Sequence, residues 1–547
     1  MLEKIHIQNR VNILKLRAAQ KYNISPEKCH LGHLILQGLL DNPKMLLQID
    51  AATDMSETNG SVALRSTRLA SALRNSGMKP GDAVVIMAPN HTDITIPYYA
   101  SNYNGYSVCG IDPNIALADL KVLYPTIMPK VTFCQRSSVE YIKQAYASAQ
   151  IDGKIVVFDD RDNNMECFIK EHRGTEIGFR PAEFDASEIA ALLILTSGTT
   201  GLPKVVVTPF DKLLNAVIAW WEPFTAPFDI VMSMSSFQWV SALLFFTSTP
   251  LRRHTRLQFS APVTPQLLVS AINKYRPNVT AWTPHFLGQF LDATENICDM
   301  SCFKYIAVTG SPIDRQLYDK FKARCNEDAF LYLVYGMTEL LVPGFDYRRD
   351  TPLGSVGKPY DKYTYKLVAD DGTIVTKPFE QGELYIKGDA FFKEYLANPE
   401  ETKKVLTEDG WFKTEDIFYR DEEKNFYFVE RRRLLIRYCG FWVAPLQLEE
   451  VIKQHPGVKQ VCVTSLPDHK KMEVAVAAIV RSNGRDIPPS ELFGLVQKSL
   501  PEFKHLHGGY FYVDSLPYTA SGKIYRSKVK EMAYKANRIL PTNYILP

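Results

Sequence analysis

The chain has 547 residues, of which 46% are hydrophobic and 22% are charged. This length predicts about three to four packing units, and the ordinary Gly and Pro contents argue against a disordered, collagen-like or linker-dominated chain. The 63 basic and 60 acidic residues leave a net charge of +3, which argues against a nucleic-acid binder because such proteins need a clustered basic field.

The two chain ends and the cysteines bear on the compartment. Nine cysteines, odd in number and without a CxxC pair, favour a reduced intracellular location over a disulfide framework. The basic N-terminus fits either a plain helix or a mitochondrial transit peptide. The last residues, Ile545-Leu546-Pro547, lack a Ser-Lys-Leu peroxisomal address. No apolar run approaches the roughly 18 residues of a spanning helix, so we expect a soluble chain without a membrane span.

Short apolar runs alternate with helical patterns through most of the chain. A helical stripe over 62–76 precedes a strand-like run over 83–87. Further strand-like runs lie at 107–111, 131–134, 155–158 and 190–195. This alternation predicts a doubly wound α/β body.

After Gly354 the predicted strands become shorter and lie between turn residues, which indicates a small β subdomain. A compact α+β pattern follows the basic residues 431–433. Its first helix begins at Pro445 and is expected to run to His455, before Pro456. We therefore predict two domains, over 1–432 and 433–547.

A hydroxyl- and glycine-rich loop follows the strand predicted at 190–195. Its candidate binding residues are Thr196, Ser197, Gly198, Thr199, Thr200, Gly201 and Lys204. Glycines let backbone N–H groups converge on an anion, and hydroxyls and an ammonium add donors, so the loop suits a polyphosphate. Its spacing is not that of a Walker A loop. A generic turn after a strand is the alternative.

This loop resembles the signature loop of the adenylate-forming superfamily, which includes acyl-CoA synthetases, 4-coumarate-CoA ligases and beetle luciferases. The other landmarks follow in order, so the resemblance covers the chain from about residue 35, and the animal luciferase-like branch of acyl-CoA synthetases is the nearest pattern. It implies a large N-terminal domain of two doubly wound sheets plus a small β subdomain, and a mobile α+β C-terminal domain. ATP, Mg²⁺ and coenzyme A are the implied cofactors.

The resemblance also implies roles in nucleotide binding. The turn Gly310-Ser311-Pro312 matches the one that lies against adenine. In Tyr335-Gly336-Met337-Thr338-Glu339, the tyrosine is expected to stack on adenine, the threonine to contact phosphate and the glutamate to hold Mg²⁺.

The ribose site is implied by residues 410–416, which end in Asp416. Glu415 stands where the family has glycine, which puts nucleotide affinity in doubt. Arg431 is expected to reach the ribose or phosphate, and Arg433 to be the hinge between the domains. A solvated basic run is the alternative for these arginines.

Lys523, in a Ser-Gly-Lys segment near the C-terminus, matches the lysine that catalyses adenylation. A carboxylate must attack an α-phosphate while pyrophosphate leaves, and positioned cations offset the repulsion between these anions. Arg437-Tyr438-Cys439-Gly440 matches the loop used when coenzyme A attacks. Gly440 is retained, but Cys439 replaces a lysine, so thioester formation is the less secure step. Domain rotation about Arg433 is expected to exchange Lys523 for this loop.

Trp239, Leu340 and Val342 are the candidate acyl-pocket residues. Trp239 could wall an apolar pocket or belong to the core. Gln238 and Trp239 stand where beetle luciferases carry histidines, which argues against luciferin oxidation.

The sequence thus predicts a ligase that joins a small-molecule carboxylic acid to coenzyme A, most simply a medium- or long-chain fatty acid. An aromatic acid ligase and a weakened homologue that only binds nucleotide or acyl groups are the alternatives, and a light-producing oxidase comes last. No nucleic-acid partner is expected. We expect an intracellular location, cytoplasmic or peroxisomal, with the resemblance favouring the peroxisome despite the missing Ser-Lys-Leu signal, and a mitochondrial location is a further alternative.

Overall fold

The computed structural model describes a defined part of the chain. The described residues are 7–160, 164–170, 172–196, 204–224, 228–294, 297–341, 343–388, 392–482, 484, 486–519 and 523–541. None of the helices in these ranges combines the length and the apolarity that a bilayer crossing requires.

The strands and helices are numbered in chain order. The strands are β1 (Leu46–Asp50), β2 (Ser56–Thr58), β3 (Ala83–Met87), β4 (Ser107–Gly110), β5 (Pro129–Cys134), β6 (Lys154–Val157), β7 (Ala190–Thr196), β8 (Lys204–Pro209), β9 (Ile230–Met232), β10 (Thr255–Gln258), β11 (Val279–Trp282), β12 (Tyr305–Thr309), β13 (Phe330–Val334), β14 (Phe345–Asp346), β15 (Lys358–Pro359), β16 (Tyr363–Val368), β17 (Gly382–Gly388), β18 (Glu394–Tyr395), β19 (Phe412–Arg420), β20 (Phe426–Arg431), β21 (Ile436–Tyr438), β22 (Phe441–Val443), β23 (Val458–Asp468), β24 (Met472–Arg481) and β25 (Tyr510–Tyr512). The helices are α1 (Ile7–Tyr22), α2 (Leu31–Leu40), α3 (Asn59–Asn75), α4 (Thr95–Asn104), α5 (Leu117–Ile127), α6 (Val139–Ala149), α7 (Met165–Lys170), α8 (Phe210–Trp221), α9 (Val240–Arg252), α10 (Pro265–Tyr275), α11 (Pro284–Ala293), α12 (Arg315–Arg324), α13 (Pro399–Val405), α14 (Pro445–Ile452), α15 (Pro489–Ser499) and α16 (Arg526–Lys535).

Two large sheets form the body of the molecule. Within the described ranges, one has seven strands in the order β13-β12-β11-β9-β10-β1-β2, and the other has seven in the order β18-β8-β7-β4-β3-β5-β6. Most neighbours are parallel, with antiparallel pairs at β1–β2, β7–β8 and β8–β18. Helices pack on these sheets around the largest hydrophobic core. The predicted doubly wound α/β body is confirmed.

Three smaller sheets complete the fold within the described ranges. The strands β14 and β15 form a short antiparallel pair. The antiparallel sheet β16-β17-β19-β20 is the predicted β subdomain. The sheet β22-β21-β24-β23, with β25 beside β24, has its own core with α14, α15 and α16. The last strand of the large body ends at Arg431 and the first of the small domain begins at Ile436. The boundary predicted at 432/433 therefore lies in the short helical turn Arg432–Leu434.

The helix that begins at Pro445 is shorter than its apolar periodicity predicts. It ends at Ile452, whereas the sequence favoured an end at His455. The backbone turns over the next residues, and His455 Nδ1 accepts a hydrogen bond from the Gly457 N–H. The residue before a proline avoids the α conformation, so Pro456 ends the helix earlier than hydrophobic spacing indicates.

Candidate active site

The candidate site lies where strand ends of the large domain meet the C-terminal domain. Parallel strands β12 and β13 end together, because Thr309 pairs with Val334. The turn that begins at Gly310 and the segment that begins at Tyr335 are therefore neighbours at one sheet edge. Gly310 has a φ of +99°, which suits glycine. Ser311, Pro312 and Gly336 are exposed at this edge.

The half-buried Tyr335 and the buried Asp416 form a hydrogen-bonded pair in the cleft. The Tyr335 hydroxyl donates to Asp416 Oδ2 at 2.7 Å, and its ring packs edge-on against Phe418. Asp416 Oδ1 is buried and accepts no hydrogen bond from the described residues, although Arg431 Nε lies 3.5 Å away. Burial raises the pKa of Asp416, and the charge of Arg431 opposes this. A buried acceptor without a donor suits a ribose hydroxyl.

Glu339 is a buried carboxylate at the end of the same segment. It is only 6% exposed, and its Oε1 accepts a hydrogen bond from the Tyr395 hydroxyl at 2.7 Å. Thr338 beside it is half-buried. In the described part of the chain no three His, Cys, Asp or Glu side chains form a metal cluster. A Mg²⁺ ion here therefore needs substrate oxygens as further ligands, which is how this ion usually binds with phosphates.

Lys204 lies at the end of the hydroxyl- and glycine-rich loop. It pairs with Thr196 across the antiparallel strands β7 and β8, so the loop joins two adjacent strands. Residues 197–203, including Ser197, Gly198, Thr199, Thr200 and Gly201, lie outside the described residues. Lys204 Nζ is 2.5 Å from Glu401 Oε2 in an ion pair that is largely buried, and this bond lowers the pKa of Glu401.

Lys523 reaches this cleft from the C-terminal domain. Its Cε lies 3.7 Å from the position that a Cβ would occupy on Gly310. Burial and the charge of Arg431 lower the pKa of Lys523, whereas Asp416 and Glu339 oppose that shift. These neighbours are the same residues that form the nucleotide side of the cleft.

Further contacts hold the two domains in this arrangement. The Tyr518 ring stacks on His285 with centroids 3.9 Å apart, and Lys453 Nζ lies 2.9 Å from Asp314 Oδ2. Ser521 and Gly522, which precede Lys523, lie outside the described residues.

The hinge residues lie between the cleft and the C-terminal sheet. Arg433 follows β20 in the short helical turn. Burial and the charge of Arg431 lower the pKa of Arg433, and the carboxylate of Glu415 is the largest effect that opposes this shift. Glu415 has a φ of +57°, a left-handed conformation that L-residues adopt at a cost. The glycine implied by the resemblance would adopt it without strain.

The Arg437 loop lies outside the cleft in this arrangement. Strands β21 and β22 form a hairpin in which Tyr438 pairs with Phe441, and the two turn residues, Cys439 and Gly440, have φ values of +46° and +88°. Two positive φ values are typical of the tight turns that join hairpin strands. Arg437 is exposed and lies over the Trp442 ring at 5.2 Å.

The predicted acyl-pocket residues occupy different settings. Trp239 is half-buried at the start of α9. Leu340 and Leu341 are buried directly after Glu339. Val342 lies outside the described residues.

Sequence reasoning missed Tyr395 and Glu401, which contact Glu339 and Lys204. The helix start Asn398-Pro399 is visible in the sequence, since Asn398 caps α13. However, Glu401 is 197 positions from Lys204, and no local pattern connects two residues so far apart.

The fold and the site together define a class of enzyme in which a small domain inserts a lysine into a nucleotide cleft. Family models agree with this class: the model of AMP-binding enzymes matches residues 48–396, and that of the AMP-binding enzyme C-terminal domain matches residues 447–523. The chain belongs to the AMP-binding enzyme family, the adenylate-forming superfamily that its motifs predicted.

Individual relatives span nearly the whole chain. The luciferin 4-monooxygenase of Photuris pensylvanica is 27% identical over 496 residues, which cover 86% of this chain and 88% of the relative. The 4-coumarate–CoA ligase 2 of Petroselinum crispum is 26% identical and covers 88% and 90%. The crystal structure of ATP-bound MatB from Rhodopseudomonas palustris superimposes with a TM-score of 0.82 at 21% identity, over 92% of this chain and 99% of that chain, which supports the fold.

ATP, Mg²⁺ and coenzyme A are the cofactors of such acid–CoA ligases, and a small-molecule acid is the substrate. The side chains fit the first two groups. Asp416 Oδ1 offers a buried acceptor to the ribose, and Glu339 offers a carboxylate to the metal. For coenzyme A, the hairpin offers the exposed Arg437 beside the exposed rings of Phe441 and Trp442.

Proposed function

We propose that the protein activates a medium- or long-chain fatty acid as an acyl-adenylate and transfers the acyl group to coenzyme A. The observation that supports this most is the position of Lys523, a residue of the C-terminal domain, next to Gly310 and among the charges of Asp416, Arg431 and Glu339. A lysine so placed provides the cation that adenylation needs.

In the first half-reaction, a carboxylate oxygen of the acid attacks the α-phosphorus of ATP. A new P–O bond forms and the bond to pyrophosphate breaks, so negative charge grows on the phosphoryl oxygens. Asp416 and Tyr335 hold the nucleoside, and Lys523 stabilises the growing charge. Glu339 would hold Mg²⁺, which would supply positive charge to offset that of the leaving pyrophosphate.

In the second half-reaction, the sulfur of coenzyme A attacks the acyl carbon. A C–S bond forms, the bond to AMP breaks and the thiol loses its proton. Arg437 is exposed and away from the cleft, so this step needs the C-terminal domain to rotate about Arg433. Rotation would replace Lys523 with the β21–β22 hairpin.

The apolar surroundings of Glu339 support an apolar acid. Leu340 and Leu341 are at most 3% exposed and belong to the hydrophobic core, so the protein behind this side of the cleft is apolar, which favours an acid with a hydrocarbon chain. An aromatic acid is the second candidate. It is favoured by the similarity to 4-coumarate–CoA ligase 2 and by the half-buried Trp239 ring, which could stack on an aryl group.

Two other activities are less well supported. Gln238 Nε2 donates to Asp112 Oδ2 at 3.2 Å, so this position has a structural partner in place of the histidines of beetle luciferases. A protein that binds nucleotide without turnover is suggested by the strained Glu415 and by Cys439. For the compartment we propose a reducing intracellular location, which the nine free thiols support.

The deciding experiment follows the two half-reactions separately with purified protein, ATP, Mg²⁺ and a panel of acids. Pyrophosphate release and hydroxylamine trapping report adenylation, and thioester formation is measured after coenzyme A is added. We expect the highest kcat/KM with an acid of medium or long chain. A preference for a cinnamate-type acid would show that the substrate is an aromatic acid and not a fatty acid. Absence of pyrophosphate release with every acid would contradict ligase activity.

A further inference from the structure

The segment 392–402 contacts both the metal-binding carboxylate and the phosphate-loop lysine. Strand β18 pairs antiparallel with β8, Tyr395 opposite Val206, so this segment lies against the strand that begins at Lys204. The segment also holds the backbone of Glu339, since the Phe392 N–H donates to the Glu339 carbonyl at 2.9 Å.

Tyr395 is held firmly enough to orient its partner. Its side chain is buried, with 4% of the residue exposed. Its N–H donates to Thr402 Oγ1 at 3.0 Å, which ties the strand to α13. Lys204 Nζ lies 4.8 Å from the ring centroid, and Glu401 on the same helix forms the ion pair with Lys204. These contacts fix the position of the Tyr395 ring, and therefore the direction from which its hydroxyl approaches Glu339.

The hydroxyl determines which carboxylate oxygen is available. It donates to Glu339 Oε1 at 2.7 Å, and among the described residues Glu339 Oε2 receives no side-chain hydrogen bond. A carboxylate with one oxygen already bonded presents the other as a single ligand. Mg²⁺ demands near-ideal octahedral geometry, whereas the larger Ca²⁺ accepts bidentate carboxylates.

We propose that Tyr395 is a positioning residue that fixes Glu339 as a single-oxygen ligand for Mg²⁺ and thereby favours Mg²⁺ over larger cations. The proposal rests on the proposed adenylation activity for the use of Mg²⁺·ATP, but not on which acid is activated. Hydrogen bonds from surrounding residues orient metal ligands and tune their affinity in the same way elsewhere.

The test measures ATP binding without any acid, by isothermal titration with the full chain. The dissociation constant is determined with chelator, with Mg²⁺ and with Ca²⁺. For Tyr395→Phe we expect the factor by which Mg²⁺ increases the affinity for ATP to fall roughly 10-fold. The affinity for ATP in chelator should be unchanged. The ratio of the ATP affinity with Ca²⁺ to that with Mg²⁺ should rise. Tyr124→Phe is the matched control, because it removes another buried tyrosine hydroxyl, which contacts Thr132 Oγ1 at 3.1 Å.

A double-mutant cycle with Glu339→Gln separates positioning from packing. If Tyr395 acts through Glu339, then Tyr395→Phe has no further effect on the Mg²⁺ response once Glu339 is glutamine. The proposal is overturned if Tyr395→Phe loses ATP affinity equally with and without Mg²⁺, or if its Mg²⁺ response is unchanged. It is also overturned if the ATP affinity of the wild-type protein does not depend on Mg²⁺. Failure of the wild type to release pyrophosphate, with normal Mg²⁺-dependent ATP binding, instead contradicts the proposed function alone.

Discussion

Two loops of the C-terminal domain lie in opposite settings. The segment that contains Lys523 faces the large domain, with Tyr518 stacked on His285 and Lys523 beside Gly310. The β21–β22 hairpin, with Arg437 at its base, faces solvent. Under the function proposed above, this is the arrangement for adenylation, and the hairpin reaches the cleft only after a rotation.

One surface contact ties the hairpin to the large domain in this arrangement. Asp370, in the turn after β16, accepts hydrogen bonds from Trp442 Nε1 at 3.1 Å and from Arg432 at 2.5 Å. It therefore joins the hinge and the hairpin to the β subdomain at once. Rotation about Arg433 has to break the Trp442–Asp370 bond, whereas Arg432 precedes the hinge and can keep its bond to Asp370.

Removal of the Lys523 ammonium should have the largest effect. We expect Lys523→Ala to slow pyrophosphate release about 100- to 1,000-fold, because one preorganised charge-stabilising group is typically worth that much, while ATP affinity stays nearly unchanged. The protonated form of Lys523 acts in adenylation, and the pKa of this lysine is lowered below the ordinary 10.5. The wild-type adenylation rate should therefore decline at a lower pH than it would if Lys523 had an ordinary pKa. Lys528→Ala, which changes an exposed lysine of α16, is the control, and equal rates for both variants would remove Lys523 from its role.

Arg437→Ala should affect the other half-reaction. We expect thioester formation from trapped acyl-adenylate to slow roughly 10-fold, in line with the loss of one charge-assisted contact, with pyrophosphate release unchanged. Single-turnover mixing with coenzyme A measures this step. Arg437→Lys keeps the charge and should retain most of the rate. A matching loss in both half-reactions would mean that Arg437 acts in the adenylation arrangement as well.

Asp370→Asn should change the balance between the two arrangements. The contact is solvent-exposed, and such pairs contribute about 0–1 kcal/mol, so we expect the thioester rate to rise up to about fivefold relative to the adenylation rate. Asp371→Asn is a close control, because the Asp371 carboxylate bonds only within its own turn, to Thr373 N and Oγ1, among its hydrogen bonds in the described residues. An identical ratio in the two variants would show that the Asp370 contact does not restrain rotation.

The smallest effect is expected at Glu415. Glycine there removes a carboxylate next to Asp416 at the proposed ribose site, an effect of about 1 kcal/mol or less in an exposed setting, and relieves a left-handed backbone, which affects stability more than ATP affinity. ATP should bind about two- to fivefold more tightly to Glu415→Gly, as measured by calorimetry. Glu415→Gln removes the charge alone, so it separates the two causes. Unchanged affinity in both variants would mean that the departure from glycine is tolerated.

The fold could be predicted well where local patterns determine it. The strand predicted at 83–87 has those bounds, because five consecutive apolar residues suit a parallel strand buried on both faces. The resemblance to the adenylate-forming superfamily predicted that Gly310, Tyr335, Asp416 and Lys523 share one site, and in the structure these residues lie at one cleft. The helix that begins at Pro445 stops before Pro456 as predicted, but it ends at Ile452 and not at His455, because apolar spacing does not show how far before a proline the helix ends.

Short-range pattern in the sequence was enough to predict the α/β architecture and the family, which the fold and the family models confirm, and the residues assigned to the two half-reactions stay predictions. The tertiary structure was needed to place Lys523 at the cleft and the β21–β22 hairpin in solvent, and to bring Tyr395 and Glu401 into contact with Glu339 and Lys204. These features depend on contacts between residues that are far apart in the chain, such as the 56 positions between Glu339 and Tyr395. The near-neutral net charge likewise acquires its meaning in the fold, where Arg431 and Lys523 lie close together in a cleft that suits an anionic nucleotide.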